Sequence, residues 1–207
     1  MPDFTLPPCS TAIVGMTGSG KTTFAFLHMA KTPCACRFIF DDMGQASARL
    51  GIPLVSTPSQ VAASLPTKWI AYNPHVMFPG DVKSGFLFFC EMAFKISQKS
   101  RHKKIVCIDE AWRFCDREDI PKEFAMLSQM GRSENIELVT VTQEPHRMNS
   151  SVLGSATELV CFRLQESIEL KKIQGLGADA VAVSRLPLGS LIAYNRVKMT
   201  QHTGKLF

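Results

Sequence analysis

Eight consecutive residues, Gly15-Met16-Thr17-Gly18-Ser19-Gly20-Lys21-Thr22, constrain this chain more than any other stretch. Their spacing is G-x-x-x-x-G-K-T, the pattern of a phosphate-binding loop. The glycines let the backbone curl so that successive N–H groups point inward at phosphate oxygens. Lys21 can set an ammonium against the β- and γ-phosphates, and the Thr22 hydroxyl can ligate a bridging Mg²⁺. Thr23 extends the motif by one more hydroxyl residue. The context fits, because the loop has a β-prone run before it (Ser10-Thr11-Ala12-Ile13-Val14) and a helical run after it (residues 23–30). The positive end of that helix would add to the phosphate site. The pattern implies a nucleoside triphosphate as ligand.

Past the loop, the chain alternates short apolar runs with helical patterns. Residues 37–42 form a strand ending in two carboxylates, residues 58–65 a short helix, and residues 68–72 another strand. Residues 86–98 carry apolar side chains at the spacing of an amphipathic helix, and residues 99–104 form a basic hinge. Ile105-Val106-Cys107-Ile108 is a run without alternation, as expected for a strand buried on both faces. Residues 121–130 predict a helix with Pro121 in its first turn and Gly131 at its end. Strands follow over 137–143 and 158–164, then a short helix over 167–174 and a last strand over 189–194. This alternation predicts an α/β fold with a mainly parallel central sheet flanked by helices. The length of 207 residues suits a single domain over 1–207, with residues 1–9, which contain three prolines, as an extended lead-in segment.

Composition narrows the class. The chain is 45% apolar and 20% charged, enough for a core. Its net charge of +5 is compatible with a polyanionic partner without proving one. Seven scattered cysteines lack zinc-site spacing and read as reduced thiols, with Cys107 and Cys161 as small buried hydrophobes. No run reaches the roughly 18 apolar residues of a membrane span, and the start lacks a signal-peptide layout. These features predict a soluble, cytosolic chain or one assembled into a particle from the cytosol.

The second informative motif is Ile105-Val106-Cys107-Ile108-Asp109-Glu110, which delivers two carboxylates to the carboxyl end of a strand. Open parallel sheets keep their active sites there. Asp109 would hold Mg²⁺, and Glu110 would orient and deprotonate an attacking water. An acidic pair after a strand also opens ordinary loops; the phosphate-binding loop upstream favours the chemical reading. Gln143, at the tip of the next strand, could sense the γ-phosphate and position the water.

Taken in order, residues 15–22, then Ile105 to Glu110 with Ala111-Trp112, then Gly131-Arg132-Ser133 leading to Gln143-Glu144-Pro145 resemble the FtsK–HerA superfamily of ring-forming DNA-pumping ATPases. The small size is similar to that of the viral genome-packaging ATPases of tailless icosahedral viruses with internal membranes. The resemblance spans about residues 10 to 195. It implies a P-loop NTPase fold of the RecA-like (ASCE) kind and ATP with Mg²⁺ as the nucleotide and its metal. It also implies a hexameric homo-oligomer, double-stranded DNA held by its backbone phosphates, and residence in host cytoplasm or at the packaging vertex of a virion. Capsid-vertex or membrane proteins are its possible partners.

Under the resemblance Lys21 and Thr22 bind phosphate and metal, Asp109 and Glu110 are the Walker B pair, and Gln143 is the polar sensor. Arg132 is the first candidate for an arginine reaching a neighbouring subunit's γ-phosphate, and Arg163 the second. For DNA the candidates are the basic run Lys99, Arg101, His102, Lys103 and Lys104, a pattern that is more often a solvated helix end, then Arg113 and Arg117, and the loop at 75–83. The rival readings are an export ATPase of the filamentous-phage kind, a nucleotide-dependent switch or assembly module, and a small-molecule kinase.

Overall fold

Uninterrupted apolar runs become the middle of the sheet. The computed structural model describes residues 10–206, so the lead-in segment expected over residues 1–9 lies outside the described residues. In chain order, β1 (Thr11–Val14) leads to α1 (Lys21–Lys31), β2 (Cys36–Phe40), α2 (Gln45–Leu50), β3 (Leu54–Val55), α3 (Pro58–Ser64) and β4 (Trp69–Tyr72). Then come α4 (Val82–Gln98), β5 (Lys104–Ile108), α5 (Lys122–Ala125), β6 (Ile136–Thr142), α6 (Ser150–Ser155) and β7 (Glu158–Phe162). The chain closes with α7 (Ser167–Gln174), α8 (Ala180–Ser184), β8 (Ser190–Asn195) and β9 (Thr200–Lys205).

Among the described residues these strands form one nine-stranded sheet in the order β3-β4-β2-β5-β6-β1-β7-β8-β9. From β3 through β7 all pairings are parallel; β8 and β9 are antiparallel additions at one edge. Strand β6 therefore sits between β1, which carries the phosphate-binding loop, and β5, which carries the acidic pair. The register aligns Phe40 with Ile108 and Val14 with Thr142, so the ends of β2, β5, β6 and β1 open on one rim.

Alternate residues of each strand feed two apolar layers. Ile13, Ile39, Ile105, Cys107, Val139, Val141 and Phe162 face α1 and α2 through Ala25, Phe26, Met29 and Ala46. Ala12, Val14, Phe38, Phe40, Tyr72, Val106 and Ile108 face the other way, onto Phe86, Phe89, Phe94 and Phe124. Helices on both faces bury the sheet, which is why its central strands need no polar alternation. Cys107 and Cys161 are fully buried in β5 and β7. Phe86 stacks on Phe114 with ring centroids 4.2 Å apart, and Phe40 meets Phe114 edge-on at 5.2 Å. That cluster pins the turn after β5 to the core.

Two sequence expectations are corrected. The helix expected over 121–130 is present, but its second half winds as a π-helical turn (Met126–Met130) and it runs on into a 3₁₀ turn (Gly131–Glu134). Gly131 does not stop it, having φ −56°, and its bare Cα lets it lie close to Ile136, 3.4 Å from where its Cβ would be. The stop is Asn135, in the left-handed region at φ 57°, with its side-chain amide donating to the Arg101 carbonyl. Nor is β8 the last strand. Strand β9 follows it, reads Thr-Gln-His-Thr-Gly-Lys and is exposed throughout, so no apolar pattern announced it.

Candidate active site

The phosphate-binding loop leaves β1 at Gly15 and closes at Gly20, the N-terminal cap of α1. Gly18 and Gly20 lie at φ 75° and 106°, conformations that L side chains seldom adopt. A Cβ at Gly15 would sit 2.6 Å from Phe162 Cβ and 2.8 Å from Ser19 Oγ, so only glycine fits between β7 and the loop. The Met16 N–H donates to the Arg163 carbonyl at 2.8 Å, anchoring the loop to the end of β7. Ser19 Oγ is buried with no hydrogen-bond partner among the described residues. Lys21 is 6% exposed, and its Nζ donates to the Met16 carbonyl at 3.0 Å. Burial lowers its pKa, while the nearby carboxylates of Glu110 and Asp109 oppose that shift.

The two motifs meet. Thr22 Oγ1 donates to Asp109 Oδ2 at 2.8 Å across 87 residues of sequence. A hydroxyl and a carboxylate oxygen in contact are the donor types a hard cation takes, and the small set suits Mg²⁺, which draws most of its shell from water and phosphate. Glu110 follows with φ 50° and ψ 46°, left-handed for a non-glycine residue. Its own N–H donates to Asp109 Oδ1 at 2.9 Å, and its carboxylate Oε2 accepts from Trp112 Nε1 at 2.7 Å. Burial raises the Glu110 pKa and Asp109 adds to the rise; Trp112, Lys21 and the Gln143 backbone N–H pull against it. Gln143, at the tip of β6, accepts through Oε1 a hydrogen bond from Thr17 Oγ1 of the phosphate loop.

These groups line one cleft of about 300 Å³, together with residues that sequence reasoning did not place there: Asp41, Asp42, Met43, Gln45, Arg49 and Arg113. Asp41 and Asp42 arrive because β2 lies beside β5 in parallel register. Asp41 accepts from the Ala46 and Ser47 N–H groups and so caps α2. Arg113, offered from sequence as a DNA contact, reaches into the cleft instead and bonds Asp42 Oδ2 through Nη1 at 2.9 Å. The signal for this was the carboxylate pair closing the 37–42 strand, which had no assigned role.

The arginine candidates separate. Arg163 lies beside the phosphate loop, with its Nε buried and unpartnered among the described residues. Arg132 lines a different cleft with Ser10, Ile136, Thr157 and Arg196, at the amino ends of β1, β6 and β7. The seven residues of β6, a span of roughly 20 Å, separate it from Gln143 within its own chain. In the basic run, Lys104 is 2% exposed and its Nζ donates to the carbonyls of Ser97, Ser100 and Glu134. Lys103 pairs with buried Glu137 at 2.6 Å. Both are structural, and the run sits at the amino end of β5, away from the cleft.

No family model and no curated protein matches the chain in sequence. Solved structures do. The genome packaging NTPase B204 of Sulfolobus turreted icosahedral virus 2, in complex with AMPPCP, superposes with a TM-score of 0.78 at 18% identity, covering 97% of this chain and 98% of that one. B204 of Sulfolobus turreted icosahedral virus, described as a DNA-packaging ATPase, gives 0.69 at 20% identity, with the same coverage of each. VirB4 of Thermoanaerobacter pseudethanolicus gives 0.70 at 12% identity over 96% of this chain and 89% of that one. The chain has a P-loop NTPase fold. In this fold the phosphate loop, the acidic pair and Gln143 converge on one rim.

Proposed function

We propose that the chain hydrolyses ATP and uses the cycle to drive double-stranded DNA, as a subunit of a genome-packaging motor. The observation that carries the hydrolytic part is the contact of Thr22 with Asp109, with the Glu110 carboxylate beside it and Gln143 on the phosphate loop. The loop amides and Lys21 would cradle the β- and γ-phosphates. Thr22 and Asp109 would hold Mg²⁺, whose charge offsets that developing on the transferred phosphoryl group. Glu110 would accept a proton from the attacking water, which Gln143 orients in line with the γ-phosphorus. Burial raises the pKa of Glu110, which makes it a stronger base than an exposed carboxylate.

The packaging role draws on the likeness to B204, a genome packaging NTPase over nearly its whole length. Among the described residues no helix is long and apolar enough to cross a membrane, which favours packaging over the export-ATPase reading. DNA would be held by phosphate contacts without sequence preference. Working subunits would form a ring, hexameric by the resemblance, with an arginine from one completing the site of the next.

Steady-state hydrolysis measured with and without duplex DNA tests the proposal. We expect DNA to stimulate turnover and Glu110→Gln to cut kcat by at least about 10²-fold while ATP binding persists. Tight ATP binding with no turnover in the unaltered protein would instead identify a nucleotide switch.

A further inference from the structure

The Glu110 carboxylate is not placed by its own backbone alone. Its Oε2 accepts from the indole Nε1 of Trp112 at 2.7 Å. The face of that indole is covered by the Arg147 guanidinium, 4.0 Å from the ring centroid. A cation over an aromatic face is attracted by the ring quadrupole, so Arg147 resists any sliding of the indole. Arg147 is in turn bonded through Nη1 to Glu144 Oε2 at 3.1 Å, and Glu144 is the residue after Gln143.

One short loop, residues 143–147, therefore touches the site at two points. At its start Gln143 accepts from Thr17 of the phosphate loop. At its end Arg147 lies on the indole that holds Glu110. Between them His146 is fastened to the buried Glu169 of α7, through its ring and through its backbone N–H at 2.9 Å. His146 pins the loop to α7, and the Glu144–Arg147 bond ties the guanidinium to the residue next to Gln143 on the near side of that anchor. The other side of the linkage is equally firm, because Phe114, two residues beyond Trp112, is stacked into the core on Phe86.

We propose that Trp112 is a positioning residue for Glu110, and that Arg147 makes its hold depend on whether the phosphate loop is occupied, through Gln143 and Thr17. This rests on the reading of Glu110 as the group that activates water. The linkage gives that reading a regulator: Thr17 bonds Gln143, and the indole holds the carboxylate. Phosphate at the loop competes for the Thr17 hydroxyl, frees Gln143, and shifts Arg147 on the indole.

Two measurements test it. Trp112→Phe keeps an aromatic ring and removes the donor; it should lower kcat by about 10- to 100-fold with KM for ATP within about twofold of the unaltered protein, as expected when a reacting group is misplaced by a fraction of an ångström. Arg147→Gln, at a half-exposed position where folding is not at risk, should lower kcat alone, and much less when Trp112→Phe is already present. The second measurement is optical. The chain has two tryptophans, Trp69 and Trp112, so in a Trp69→Phe background emission reports Trp112 alone. A non-hydrolysable ATP analogue should change that emission in the presence of Arg147 and leave it unchanged in Arg147→Gln. Full kcat in Trp112→Phe, or no emission change with bound analogue, overturns the proposal. If the protein never turns over ATP yet the emission responds through Arg147, the linkage stands and the hydrolytic reading falls.

Discussion

Glu137 shows how a single buried carboxylate ties the phosphate-loop helix to the sheet. It is 1% exposed at the start of β6, bonded to His28 of α1 and paired with Lys103, each at 2.6 Å, with Thr11 Oγ1 donating to it at 3.2 Å. Burial alone would raise its pKa; the His28 bond and charge and the Lys103 charge more than offset that, so the carboxyl lies below its ordinary range. Its contribution to stability is complete above the unfolded carboxylate range and disappears as pH falls through the lower folded value. Glu137→Gln should cost about 2 kcal/mol at neutral pH, and thermal melts of the two proteins should converge as the pH is taken below about 4. At this scale the sequence was readable where chemistry is local. Residues 15–22 and the Asp109–Glu110 pair declare themselves by spacing, and the structure brings them together. Glu137, Asp42 and Arg113 do not, because each role depends on a partner from another element.

Among the elements, α4 makes the sharpest prediction. Gly85 lies in its interior, where alanine would ordinarily gain up to about 1 kcal/mol. Here a Cβ would stand 2.2 Å from Pro74 Cβ, so α4 can approach the loop after β4 only with glycine at this position. Gly85→Ala should therefore reverse the usual sign and destabilise by about 1–3 kcal/mol, seen as a lower denaturant midpoint with unchanged slope. Elements with a strong apolar signal, the helical period of α4 or the unbroken run of β5, were readable within a few residues. Those lacking one were not. The short α6 and α8 are held by side-chain caps from Asn149 and Asp179, and β9 by pairing to β8. The helix that begins with α5 runs on past Gly131 to Asn135, whose left-handed backbone ends it, a stop that no glycine announced.

At the scale of the molecule, parallel order from β3 to β7 followed from strand–helix alternation, whereas the antiparallel β8–β9 edge did not. The position of Arg132 yields a prediction for the proposed ring. Because it lies far from its own chain's cleft, any catalytic part it plays must be in a neighbour's. Arg132→Ala and Glu110→Gln subunits, each inactive alone, should regain part of the hydrolysis when mixed, since an intact cleft can then face an intact arginine. Full activity of Arg132→Ala alone, or no recovery on mixing, would remove Arg132 from that role.

Strand β6, seated between the loop-bearing and acid-bearing strands, carries a consequence for how competence is acquired. Segments more than a hundred residues apart must pair before Thr22 meets Asp109, so no fragment ending short of β6 can assemble a place for triphosphate. Such distant pairing is slow to nucleate, and under the proposed function nucleotide would grip the finished sheet alone. Triphosphate should thus act as an inspector of the newly made chain, adding stability only to copies whose interior is already in order.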